Sequence, residues 1–142
     1  MKRILPVLAL LPLLALALLP ATAWAKAPQI EVTPDTIKMG QIQIKELHEG
    51  TGNVAFTVHN SGDAPLILQS VSGCCGTEIK SYPKGPILPG KTGEIKVFFR
   101  IEPKPQAISR VVTILSNDPK RKEIQHKIFG TVIKDREKNR LF

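Results

Sequence analysis

The stretch GEIKVFFRI, Gly93 to Ile101, sets Ile95, Val97, Phe99 and Ile101 at every second residue, with Glu94, Lys96 and Arg100 between them. A period of two suits a strand with one face on a core and the other in water. A helix would need its apolar residues three and four apart. The same alternation recurs in NVAFTVHN, where Val54, Phe56 and Val58 face one way and Ala55, Thr57 and His59 the other. In EIQHKIFGTVI, Ile124, Ile128 and Val132 share a register, and His126 falls in it. PLILQSV and SRVVTIL are denser branched runs, as interior strands would be. No stretch carries a capped helical stripe.

Turn residues divide these runs. NSGDAP separates two of them, and YPKGPILPGKTG, EPKPQ and SNDPK punctuate the rest. Asn60, Asp63, Asn117 and Asp118 offer side-chain acceptors to nearby N–H groups, Gly62 is expected to supply a positive φ, and Pro65 opens the next strand. Neither loop has the carboxylate density that calcium requires. Six or seven short strands between such turns make an all-β fold, an antiparallel β-sandwich. The expected core is Phe56, Val58, Leu66, Ile95, Val97, Phe99, Val112, Ile114 and Ile128.

The start of the chain gives an address. Lys2 and Arg3 precede an apolar run, Ile4 to Leu19, interrupted by Pro6 and Pro12. Ala23 and Ala25 then satisfy the small-residue rule for signal peptidase. The run is short for a membrane span, so residues 1–25 read as a cleaved signal peptide. The mature protein is then periplasmic or secreted, and not integral to the membrane. Cleavage leaves 117 of 142 residues, enough for one domain with a real core, and lowers the net charge from +8 to +6. The domain is expected over residues 26–134, with a charged tail over 135–142.

The order FTVHNSGDAPL, a cysteine loop, PILPG, GEIKVFF, SNDP and GTV resembles a large bacterial family of secreted domains, domain of unknown function fifteen seventy-three. The likeness runs from about Thr33 to Val132. It implies an immunoglobulin-like sandwich of about seven strands, related to the PapD-like and major-sperm-protein folds, and it brings no established activity. Family members often read Ser-Cys-Gly-Cys-Thr in the loop. This chain reads Gly73-Cys74-Cys75-Gly76-Thr77, so a role that depends on a Cys-x-Cys bite does not carry over.

Both cysteines of the chain stand in that loop. Two thiols cannot make a disulfide scaffold, so apolar burial must hold the fold. Three states compete for Cys74 and Cys75: free thiols with one buried, a strained vicinal disulfide, or a shared metal or intermolecular bridge. Thiolates favour Cu(I) or Zn(II), which need further ligands. Of the histidines, His48 lies in a polar loop, His59 on an outward face and His126 on an apolar face, where it reads as a partly buried, hydrogen-bonded residue rather than a ligand.

No nucleophile elbow, zinc-protease motif or phosphate loop is present, and the cysteines lack the Cys-x-x-Cys spacing and adjoining helix of thiol–disulfide enzymes. The chain therefore reads as no enzyme, with no catalytic residue and no cofactor. From Pro119 onward eight Lys/Arg face three acids. That segment either docks on an anionic envelope surface or is a soluble repelling tail. Nucleic acid does not fit the secretory address. The leading reading is a non-catalytic extracytoplasmic module for protein–protein contact with an unidentified envelope protein, with Phe98, an aromatic on a polar strand face, as the contact residue. The alternative is a periplasmic soft-metal-binding or thiol-redox protein using Cys74 and Cys75.

Overall fold

The computed structural model describes residues 26–136. The expected signal peptide and the last six residues of the charged tail lie outside them. Eight strands run in chain order: β1 Ile30–Thr33, β2 Thr36–Gln43, β3 Asn53–Asn60, β4 Leu68–Gly73, β5 Thr77–Ser81, β6 Thr92–Phe99, β7 Gln106–Ser116 and β8 Glu123–Ile133. One sheet has the order β1-β3-β6-β5 and the other β2-β8-β7-β4. β1 and β2 are two halves of one extended run. The chain passes from the first sheet to the second at Pro34-Asp35. Counted as one strand, they make the seven-strand constant-type immunoglobulin arrangement.

One pairing departs from the expected all-antiparallel sheets. β2 runs parallel to β8, with Ile37 opposite Ile128 and Ile42 opposite Val132. Having crossed sheets without reversing direction, the first strand meets β8 head to head. Every other pair is antiparallel.

All nine expected core residues are buried, joined by Ile30, Leu68, Val71, Ile87, Ile108, Ile124 and Val132. They are the inward residues of alternating strands. Removing each such side chain from water contributes roughly 1.5–3 kcal/mol, so the sandwich does not depend on a disulfide.

The polar end of the core is more than a set of local turns. Asn60 is fully buried. Its Oδ1 accepts from the Gly62 N–H at 3.0 Å, and its Nδ2 donates to the carbonyls of Ala64 and Ile87, each at 2.8 Å. Asp118 is 1% exposed. It accepts from the N–H groups of Lys120 at 2.8 Å, Arg121 at 3.1 Å and, across the fold, Ile30 at 3.0 Å. It thereby pins β1. Burial pushes the Asp118 carboxyl up, but these three N–H donors and the Arg121 charge outweigh it and hold the group below the usual carboxylate range. Gly62 corrects an expectation, because its φ is not positive. It is glycine for close approach: a Cβ there would lie 2.3 Å from the Ala27 carbonyl oxygen.

The registers sort the loops to two ends. Residues 61–67, 82–91 and 117–122 gather at the end that holds Asn60 and Asp118. Residues 44–52, 74–76, 100–105 and 134–136 gather at the other. The charged block after Pro119 is therefore split. Lys120, Arg121 and Lys122 precede β8, while Lys134 and Arg136 follow it. The eleven residues of β8 put roughly 35 Å between the two groups. Asp135 and Arg136 are tied down, the first accepting from the Lys45 N–H at 2.9 Å and the second donating its N–H to Gln43 Oε1 at 3.2 Å.

Candidate functional site

Cys74 and Cys75 form the link by which β4, in one sheet, passes to β5, in the other. Thr77 donates its N–H to the Cys74 carbonyl at 3.0 Å, closing a four-residue turn. Its central residues, Cys75 and Gly76, have φ of 56° and 74°. Two positive values mark a type I′ turn, which favours Asn or Asp followed by Gly. Gly76 meets that demand without strain. Cys75 is the one non-glycine residue with positive φ among the described residues, and a β-carbon there costs roughly 1–2 kcal/mol.

The two thiols are unlike. Cys75 is exposed at the tip and Cys74 half-buried at the neck. Cys74 behaves as an extra ladder residue against β7. Its N–H donates to the Val111 carbonyl at 3.0 Å, and its sulfur accepts the Val111 N–H at 3.2 Å. A hydrogen bond from the Cys75 thiol lowers the Cys74 pKa most. Burial opposes this, and the Val111 N–H and the Arg110 charge add to the lowering. The reciprocal bond and the Cys74 charge raise Cys75. The two thiols therefore titrate as a pair in which Cys74 is the more acidic partner. No S–S bond joins the two cysteines in this structure. Among the described residues, no group of three or more His, Cys, Asp or Glu side chains is placed to hold a metal ion.

Arg110 went unnoticed in the sequence. It shares the inward register of Ile108, Val112 and Ile114, so counting by two along SRVVTIL would have found it. Its guanidinium lies 5.4 Å from the centre of the Phe99 ring. Its Nε is buried without a hydrogen-bond partner, as is Thr77 Oγ1 at the foot of the turn.

Beside the turn, a groove of about 830 Å³ opens on the outer face of β5 and β6. Phe98, Lys80, Arg100, Leu47, His48 and Asn53 are among its lining residues. Phe98 is half-buried, and the Lys80 ammonium stands 5.2 Å from its ring centre. Lys80 also pairs with Glu78 at 3.0 Å. His48 accepts the Gly50 N–H on Nδ1 at 3.1 Å, which shapes the wall. The groove brings together Phe98, the cations Lys80 and Arg100, the Glu49 carboxylate, His48 and backbone from the loops.

The structure does not bring the other sequence-singled histidines to this site. His59 lies on the outer face, 3.6 Å from Glu31. His126 is 1% exposed and stacks on Phe56 with ring centres 4.1 Å apart, inside the core.

The profile of the family described as "Protein of unknown function (DUF1573)" matches residues 30–132. No curated protein matches the chain. Among solved structures, a protein of unknown function from Porphyromonas gingivalis W83 is similar, with 22% identity and a TM-score of 0.59 over 79% of this chain and 50% of that one. The chain thus spans half the length of that protein. PapD-like domain 7 of human CEP192 matches at 10% identity and a TM-score of 0.52, covering 94% of this chain and 100% of that one. The E. coli chaperone DraB matches at 10% identity and a TM-score of 0.50, covering 74% and 54%. These likenesses carry the fold alone: an immunoglobulin-like, PapD-like sandwich.

Proposed function

The chain belongs to the DUF1573 family, and from that premise we propose that it is an extracytoplasmic, non-catalytic immunoglobulin-like module that docks a protein partner in the cell envelope. One observation carries this reading. The groove at the cysteine end is lined by the half-buried Phe98 together with Lys80 and Arg100, and β5, which contributes Lys80, is an edge strand. Aromatic residues and arginine are enriched at protein interfaces, and an edge strand offers unpaired N–H and C=O groups to an incoming segment. The partner chemistry that fits is an extended segment carrying an apolar anchor and a carboxylate.

The secretory address rests on the sequence of residues 1–25. Among the described residues no helix is long and apolar enough to cross a membrane. The basic groups at the end of β8, Lys134 and Arg136, lie at the groove end, where they favour an acidic partner or an anionic envelope surface.

Affinity capture from the organism's own envelope extract tests the reading. Wild-type domain is expected to retain a discrete protein that Phe98→Ala and Lys80→Glu variants lose while keeping the wild-type fold by circular dichroism. Equal retention by all three would overturn it.

A further inference from the structure

The turn at Cys74 and Cys75 has a chemistry of its own, independent of the groove. The two sulfurs differ in setting: one half-buried against a strand, the other exposed at a tip. The Val111 N–H, 3.2 Å away, points at the Cys74 sulfur as it would at an anion. The Arg110 guanidinium, whose Nη1 donates to the Ser109 carbonyl at 3.0 Å, acts to lower the pKa of both thiols and adds to the effect of the Val111 N–H at Cys74. Cys75 is held in a left-handed conformation that costs a cysteine more than its neighbour Gly76.

We propose that Cys74 is a site of S-thiolation, at which its thiolate attacks a low-molecular-mass disulfide and retains half of it as a mixed disulfide. The Cys74 sulfur attacks one sulfur of the incoming disulfide, whose S–S bond breaks as the new one forms. The other half leaves as a thiolate and takes up a proton from water, matching the proton that Cys74 gave up. No other oxidant is consumed. The half-buried position of the Cys74 sulfur admits a slender, flexible disulfide and hinders a broad protein surface.

Cys75 has two parts in this scheme. As the neighbour that lowers the Cys74 pKa, it favours the attacking thiolate. As a resolving thiol it is poor. Its attack on Cys74 would release the second half and close a vicinal disulfide, but adjacent Cα atoms lie about 3.8 Å apart and ordinary disulfides span about 4.4–6.8 Å. The closed ring is strained and reverts with thiol. The mixed disulfide on Cys74 is therefore the product that persists.

Oxidised glutathione is the probe. The purified reduced protein is mixed with it without air, quenched in acid, and read by intact mass and peptide mapping. The expected product carries one glutathionyl group, on Cys74. It should form at least about tenfold faster than on the unfolded peptide SGCCGTE, because only the fold supplies the Val111 N–H and Arg110. Cys74→Ser should abolish the fast reaction. Cys75→Ser should keep the adduct on Cys74, and Arg110→Gln should slow its formation. An adduct placed first on Cys75, a rate no faster than the peptide's, or a dominant product lighter by two hydrogens with no adduct would each overturn the proposal. Circular dichroism of each variant separates a chemical loss from a failure to fold.

Discussion

Val111 meets Cys74 twice, accepting its N–H at 3.0 Å and donating its own N–H to its sulfur at 3.2 Å. The second bond takes the place of a backbone ladder bond. It brings a thiol into a sheet register where a carbonyl would ordinarily sit, and it separates the chemistry of two adjacent cysteines. The strain of the turn falls on the neighbour, Cys75.

That strain is measurable. Replacing Cys75 by Asn puts at the first central position of a type I′ turn the residue it prefers. Cys75→Asn is expected to raise stability by about 1 kcal/mol, read from chemical denaturation. A loss of similar size would mean that the cysteine side chain itself holds the turn.

Phe99 is 1% exposed and carries the Arg110 guanidinium over its ring. Phe99→Ala should cost about 3–5 kcal/mol, the usual range for a buried phenylalanine. Phe98→Ala, one residue away on the outer face, should cost under about 1.5 kcal/mol because the side chain is already half in water. Denaturant midpoints of the two variants check the contrast. Equal losses would mean that the two faces of β6 are misassigned.

Two buried groups set the acid response. Burial lowers the pKa of His126 below the ordinary 6.5, against the opposing charge of Asp35. Neither ring nitrogen makes a hydrogen bond of good geometry, although the Asp35 backbone lies close enough to oppose the shift. The unfolded chain binds a proton here that the folded chain resists, so this contribution is full above pH 6.5 and is lost as pH falls from there through the lowered folded value. Asp118, whose folded pKa lies below the ordinary 3.8, loses its contribution only as pH drops below that value. Melting temperature against pH should therefore fall in two stages. His126→Phe should remove the first and leave the second.

Asp118→Ala should cost about 2–4 kcal/mol, because three N–H donors lose their acceptor and those of Ile30 and Lys120 lie at the fixed edge of the fold. Loss of amide protection is expected first at Ile30, since β1 is pinned there. Hydrogen exchange read residue by residue checks this.

The strands were legible because sheet burial imposes a period of two on sequence, and GEIKVFFRI obeys it through Phe99. The nine expected core residues are buried for the same reason. The parallel pairing of β2 with β8 was not legible. TIKMGQIQ alternates weakly, and which sheet it joins is decided by the crossing at Pro34-Asp35, a matter of direction in space. The turn motifs were legible as turns but not as long-range ties, since nothing near Asp118 in sequence signals Ile30. At the cysteine site the sequence raised the question without distinguishing the two thiols. Their difference comes from the turn, which exposes Cys75, and from Val111, 37 residues beyond Cys74, which bonds the Cys74 sulfur. The groove depends on how residues 47–50 fold against Phe98, which no local pattern encodes.

Site-specific photo-crosslinking in the living envelope tests the docking account most directly. A benzoylphenylalanine is placed at position 98 in the groove or at position 88, where Leu88 is 53% exposed at the opposite end of the sandwich. The account expects a discrete protein adduct from position 98 and none in common from position 88. No adduct at 98, or the same adducts from both positions, would contradict it.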